Sequence, residues 1–391
     1  MISEGIVPRK IDFSADILAS KALLSQKIKG SKVLIIGGAG TIGSHYTKEL
    51  LAFEPANLTV VDINENGLTE LTRDLRSSNL LDYNPEYITY PVNLLSTTFE
   101  KIFFSKQWDV VANFSAHKHV RSEKDKISVE ALLINNVFGA IKLLRLCSEQ
   151  NPQHFFSVST DKAANPVNIM GASKSLMELL ILSKKNEFRV STARFANVAF
   201  SNGSLLDGFI YRLNKKQPLS CPSDIKRFFV SPMHSGQICM LATFLGNSGD
   251  IFFPKLDFHQ DQLFFKDIAI DFLKANQLEP IVVNSEDEAK AFDFDNNKGL
   301  YPIYFFQSDT SGEKSYEEFY TEEETYDLNA HHSLGYIQTT PVHISFDEVL
   351  KDFNVVFDNP LSTKADMVEV ISKYVPTFKH METGKHLDQK M

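Results

Sequence analysis

Apolar residues in this chain form short solid runs that alternate with longer stretches of helical period. From Lys32 the order is "KVLIIGGAG", "TIGSHYTKELLAF", "NLTVVDI". A buried strand, a glycine turn, an amphipathic helix of about four turns and a second buried strand make a parallel βαβ unit. The alternation goes on. "YITYPV" and "DVVANFSA" predict strands, "VEALLINNVFGAIKLLRLCSEQ" a long helix, "HFFSVST" a strand, "GASKSLMELLILSKKN" a helix and "FRVSTARFANV" a strand. Residues 31–200 therefore predict one doubly wound parallel sheet, an α/β fold of Rossmann type, behind an N-terminal extension over 1–30. After Asn202 the rhythm loosens. Helical "LLDGFIYRLNK" and "SPMHSGQICMLATFL" flank the proline-bearing "KQPLSCPSDIKRFF", and residues 257–345 are acidic and weakly periodic. Residues 201–391 predict a smaller mixed α/β lobe that binds substrate, with an acidic insertion of mixed helix and long loops and a C-terminal tail.

Composition narrows the function. A net charge of −9 without a long basic block gives nothing to attract a nucleic acid. Cys147, Cys221 and Cys239 are too widely spaced for a disulfide framework or a metal pair, and fit core thiols in a reducing compartment. His331 and His332 lie beside acidic "EEET" without a second ligand cluster, so no metal is expected. The longest apolar runs fall short of the ~20 residues that span a bilayer, and "MISEGIVPRKIDF" lacks the apolar core of a signal peptide. A cytoplasmic protein without a membrane partner is expected.

Gly37, Gly40 and Gly43 follow the first strand and open the first helix, where backbone can approach a pyrophosphate and free N–H groups point at it. The second strand ends in Asp62. Its carboxylate would accept hydrogen bonds from ribose hydroxyls and repel a 2′-phosphate, and "INENGL" offers no Arg or Lys to rescue that phosphate, so NAD is favoured over NADP.

The strand "HFFSVST" delivers Thr160, Asp161 and Lys162 at its C-terminal end, where ligands of open α/β sheets bind. Lys174 follows Met170 at the tyrosine-xxx-lysine spacing of short-chain dehydrogenases, with methionine in the tyrosine's place. A thioether cannot take up a proton.

The strings "GGAGTIG", "AHKHV", "NNVFGA", "STDKAANPVNIMGASK", "RFANVAFSNGS" and "KRFFVS", in that order, resemble the extended short-chain dehydrogenases of the capsule and flagellar polysaccharide type, the UDP-N-acetylglucosamine 4,6-dehydratases. The resemblance covers roughly residues 5–250, and one branch of that family also carries methionine for tyrosine. It implies a reaction without net redox. Hydride leaves sugar C4 for NAD, the 4-ketone acidifies the C5 hydrogen, the C6 hydroxyl departs and hydride returns to C6. It implies Asp161 as the acid, Lys162 as the base and Thr160 as a relay for the O4 proton towards water or the cofactor ribose and Lys174. To be a base near neutrality, Lys162 must have a pKa well below ~10.4, which burial favours and an ionised Asp161 next door opposes.

By the same resemblance Gly37, Gly40, Thr41, Ile42, Gly43, Asp62, Ser115, Ala116 and Lys174 hold the cofactor. Lys118, His119, Met170, Asn197, Ser201, Asn202 and Ser204 line the UDP-sugar site, and Arg227 meets the diphosphate. Asn136 links active-site helices, and Asn93 stands where an adenine-contacting aspartate is common. "SDTSGEKSYEEF" loosely matches a "GEK..EE" string near the end of the family's substrate lobe. The helices at 130–149 and 171–185 are expected to pair across a two-fold axis in a homo-oligomer. A 4-epimerase, a 4-ketoreductase and a non-catalytic NAD-binding sensor are alternatives on this scaffold. Met170 argues against the first two, and the retained Thr-Asp-Lys triplet against the sensor.

Overall fold

The computed structural model describes Ile6, residues 11–309, Gly312, Lys314 and residues 316–382. Its centre is a nine-stranded sheet. Six parallel strands carry the predicted alternation: β1 (Lys32–Ile36), β2 (Asn57–Asp62), β3 (Glu86–Pro91), β4 (Val110–Asn113), β5 (His154–Val158) and β6 (Val190–Ala193). They lie in the order β6-β5-β4-β1-β2-β3. β1 pairs with both β2 and β4, with Ile36 level with Val61 on one side and Asn113 on the other. The chain thus winds outward in both directions from β1, and the crevice of such a sheet opens at the carboxyl end of this strand.

Burial on both faces explains the solid apolar runs. Val33 and Ile35 of β1 join one core with Tyr46, Leu50, Val60 and Ile238, while Leu34 and Ile36 join another with Val61, Leu133, Val137 and Phe155. The helices Thr41–Leu51 and Pro232–Leu245 pack on the first face.

The sheet does not stop near residue 200, where the sequence suggests a boundary. Asp250–Pro254 continues it parallel to β6, Leu334–Ile337 adds antiparallel to that strand, and Tyr326–Asp327 forms the edge. The acidic region also holds more strand than its periodicity predicts. Glu279–Val283 and Leu300–Phe306 form a parallel three-stranded sheet with Leu219–Pro222. The flanking carboxylates are solvent-facing, so they masked "LYPIYFF", which is a strand with a buried start.

Two features of the long helix bear on the expectations for it. Lys126–Gln150 is long and apolar enough to cross a membrane by length and composition. Its helix runs continuously through a π-helical turn at Ile134–Phe138, and its apolar residues Val129, Leu132, Leu133, Val137, Ile141 and Leu144 lie inside the fold. The faces expected to meet a second subunit are covered in part by the chain's own C-terminus. Helices Phe346–Asp358 and Lys364–Tyr374 place Val349, Phe353, Met367 and Ile371 in the same core as Leu133 and Met177. The Phe138 ring lies 6.2 Å from that of Phe353 and 5.6 Å from that of Phe357.

Candidate functional site

The glycine turn sits at the end of β1. Gly37 has φ +76°, a left-handed conformation, and an added Cβ would lie 2.5 Å from the Ser115 backbone nitrogen. Only glycine brings these two loops so close. Asp62 closes the turn from β2: its Oδ2 accepts the Ala39 N–H at 2.9 Å and its Oδ1 accepts the Asn64 N–H at 2.9 Å. The two remaining lone pairs stay available to a ligand.

β5 is buried along its length and releases the chain at Ser159. Thr160 then caps a short 3₁₀ turn, Asp161–Ala163. Asn168 starts the next helix, Ile169–Leu182, accepting the Gly171 N–H on its side chain at 2.7 Å. A Cβ on Gly171 would stand 2.5 Å from the Lys162 carbonyl oxygen, so glycine lets the helix press directly on the turn. Glu123, from the loop before the long helix, accepts the N–H groups of Ile169 and Met170 at 2.9 and 2.7 Å. Asn136 ties the 117 loop to the same helix: it accepts the His117 N–H at 2.8 Å, and its Nδ2 donates to the His117 carbonyl and to Ser173 Oγ, each at 3.0 Å.

These elements enclose a cavity of about 680 Å³ that runs from the glycine turn to the Thr160 loop. Of the residues expected to hold cofactor or substrate, it is lined by Gly37, Gly40, Thr41, Ile42, Gly43, Asp62, Ser115, Ala116, Lys118, His119, Thr160, Lys162, Met170, Lys174, Asn197, Ser201 and Ser204. Asn93 and Asn135 line it too. Three expected residues do not reach its wall. Asn202 is exposed, and its N–H donates to Thr41 Oγ1 at 3.1 Å. Asp161 is buried behind Lys162. Arg227 is buried, with its Nη2 3.8 Å from Glu317 Oε1.

The electrostatics decide a point the sequence left open. Lys162 Nζ donates to Asp161 Oδ1 at 3.0 Å and lies 3.6 Å from Glu317 Oε1. Burial pulls the Lys162 pKa down, but Asp161 and Glu317 together overcome it, Arg227 notwithstanding, and the net shift is upward. The isolated site therefore holds an ammonium, where the sequence reading asked for an amine released by burial. Lys174 behaves in the opposite way. Burial brings its pKa down to about 8 against the pull of Glu178. Its Nζ donates to the Val158 carbonyl at 2.9 Å. Thr160 Oγ1 donates to Asp161 Oδ1 at 2.9 Å, which makes Asp161 Oδ1 the common acceptor of the triplet.

Sequence reasoning missed three carboxylates. Glu178 sits on a helix face that is otherwise apolar, and this one charge among "LMELLIL" was the available signal. It pairs with buried Arg194 at 2.6 Å. Glu123 stands in an ordinary polar stretch and gave no signal. Glu317 belongs to the loosely matching "GEKSYEEF" string.

Comparison with known proteins adds the relationships. The model of a family described as polysaccharide biosynthesis protein matches residues 33–339. An uncharacterized membrane protein of Methanocaldococcus jannaschii is 32% identical over 60% of this chain and 69% of its own length. The inverting UDP-N-acetylglucosamine 4,6-dehydratase of Campylobacter jejuni is 27% identical over 70% of this chain and 83% of its own. The probable polysaccharide biosynthesis protein EpsC of Bacillus subtilis is 27% identical, and the match spans only 38% of its length. Among solved structures, Pen from Bacillus thuringiensis superposes with a TM-score of 0.65 at 21% identity, covering 85% of this chain and 98% of its own. With most of its length matched by the family model, this chain belongs to the polysaccharide biosynthesis protein family.

Proposed function

We propose that this protein is an NAD-dependent nucleotide-sugar 4,6-dehydratase of the cytoplasm, converting UDP-N-acetylglucosamine to a UDP-4-keto-6-deoxy-N-acetylhexosamine for surface polysaccharide. The observation that carries this reading is that Lys162 and Met170 line one cavity: a proton-handling amine is present where the sheet binds ligands, and the tyrosine's place is taken by a thioether. Family membership and the similarity to dehydratases of Campylobacter jejuni support it.

The residues at the end of β1 and β2 fit NAD. The left-handed Gly37 leaves a cradle that a Cβ would fill, and Asp62 presents a carboxylate to the same cavity. NAD supplies a hydride acceptor for sugar C4 and a hydride donor for C6. The chain's own work is proton transfer and orientation. Lys174, with a pKa of about 8, holds the ribose hydroxyls as an ammonium and releases a proton to solvent as the O4 proton arrives through Thr160 and the ribose. Lys162 passes one ammonium proton to Asp161 Oδ1 and, as the neutral amine, takes the C5 proton. Asp161 holds that nitrogen through Oδ1 and returns a proton to the departing C6 oxygen, so that water leaves. Arg227 turns to the diphosphate as the nucleotide enters, a role its planar fork suits.

Incubation of the protein and NAD with UDP-N-acetylglucosamine, read by mass spectrometry and NMR, tests this. Loss of one water is the expected outcome. Unchanged mass with inverted C4 would mean an epimerase, and no turnover of any nucleotide-sugar would mean a sensor.

A further inference from the structure

Gly312, Glu317 and Glu318 come from well beyond the Thr160–Asn168 loop in sequence, yet they hold it at three points. The Gly312 carbonyl accepts Asn168 Nδ2 at 2.8 Å, Glu318 Oε2 accepts Asn165 Nδ2 at 2.9 Å, and Glu317 Oε1 faces Lys162 Nζ at 3.6 Å. The last contact is different in kind. Glu317 is 2% exposed, and its Oε1 also lies 3.8 Å from Arg227 Nη2, so one oxygen stands between two cations of the site. Its other oxygen, Oε2, is buried with no hydrogen-bond partner among the described residues, and so is Asp161 Oδ2. A buried carboxylate with an idle oxygen is costly unless its charge is used.

We propose that Glu317 is a positioning residue of the dehydration site: it fixes where Lys162 Nζ points and how firmly that nitrogen keeps its proton. This deepens the functional reading above and rests on it for the role of Lys162. The charged groups around the pair are Asp161 and Arg227 facing Lys162, with Lys162, Asp161, Arg227 and Lys314 facing Glu317. Asp161 and Glu317 oppose burial at Lys162, while Arg227 reinforces it. Removing the negative charge of Glu317 therefore leaves the amine easier to deprotonate. The site trades some readiness to release that proton for a nitrogen held in one direction.

The test compares wild type with Glu317→Gln, which keeps the shape, and Glu317→Asp, which keeps the charge. Trace acylation of the intact protein with acetic anhydride, followed by mass spectrometry of the Lys162 peptide, reads the proton affinity of that amine without any substrate. Glu317→Gln is expected to raise Lys162 labelling in mildly alkaline buffer about tenfold, equivalent to about one pKa unit, with Glu317→Asp close to wild type. In turnover, the rising limb of kcat against pH moves to lower pH in Glu317→Gln. Lys162 labelling identical in wild type and Glu317→Gln, with both proteins folded by circular dichroism, would overturn the inference. If labelling shifts while wild type turns over no nucleotide-sugar, the charge link stands and the dehydratase reading fails.

Discussion

Glu123 Oε1 accepts the backbone N–H of Met170 at 2.7 Å, so the helix that carries the methionine begins on a buried carboxylate. Burial outweighs this bond and the one from Ile169, and the Glu123 pKa is pushed up to about 7. The folded protein then binds the proton more tightly than the unfolded chain, whose glutamate titrates in the ordinary range. Between the two values stability falls as pH rises, and above the folded value the loss is complete. Thermal or urea unfolding from about pH 5 to about pH 8 should show wild type losing on the order of 2 kcal/mol more than Glu123→Gln. Parallel curves for the two proteins would show that the carboxyl titrates normally.

Gly37→Ala places a Cβ against the Ser115 backbone at 2.5 Å in a left-handed conformation. Strain of about 1–3 kcal/mol falls on the turn proposed to meet the cofactor. NAD affinity measured by fluorescence titration should drop at least tenfold, roughly 1.4 kcal/mol, with the circular dichroism spectrum retained.

Arg194 is buried between two carboxylates. Its Nη2 meets Glu178 Oε2 at 2.6 Å and its Nη1 meets Glu324 Oε2 at 2.9 Å. Glu178→Gln strips the more deeply buried partner from a guanidinium that cannot lose its charge. Urea denaturation should show a loss of about 3–5 kcal/mol, as for other broken buried pairs. A change under 1 kcal/mol, about the size expected of an exposed pair, would mean that the site is wet.

Lys174 titrates at about 8, because burial disfavours its ammonium. Its charge fades as pH rises through that value, and with it the hold on the cofactor ribose proposed for it. The Kd for NAD should rise above about pH 8 in wild type and stay level in Lys174→Met, whose affinity is weak throughout. Isothermal titration at several pH values checks this.

Much of this was legible in the chain because parallel sheets bury both faces. β1, β2 and β4 read as largely apolar runs, and the glycine turn, Asp62 and Thr160–Lys162 all sit at strand ends, where the pattern breaks. The strands beyond residue 250 were not legible in the same way. Leu334–Ile337 and Tyr326–Asp327 are short, and they join a sheet whose other strands lie far away in sequence. Glu317 escaped for a similar reason: its partners Lys162 and Arg227 come from two other segments, so no local spacing reports the contact. The sequence left the charge state of Lys162 open between burial and Asp161, because the second carboxylate that tips it could not be inferred.

The central claim is that residues at the end of β5 remove water from a hexose while the cofactor only lends its electrons. UDP-N-acetylglucosamine carrying deuterium at C4, turned over by the protein with unlabelled NAD and analysed by NMR, tests it most directly. The account predicts a 4-keto-6-deoxy product with that deuterium at C6 and a hydrogen from solvent at C5. Deuterium retained at C4, or lost to solvent without dehydration, would contradict it.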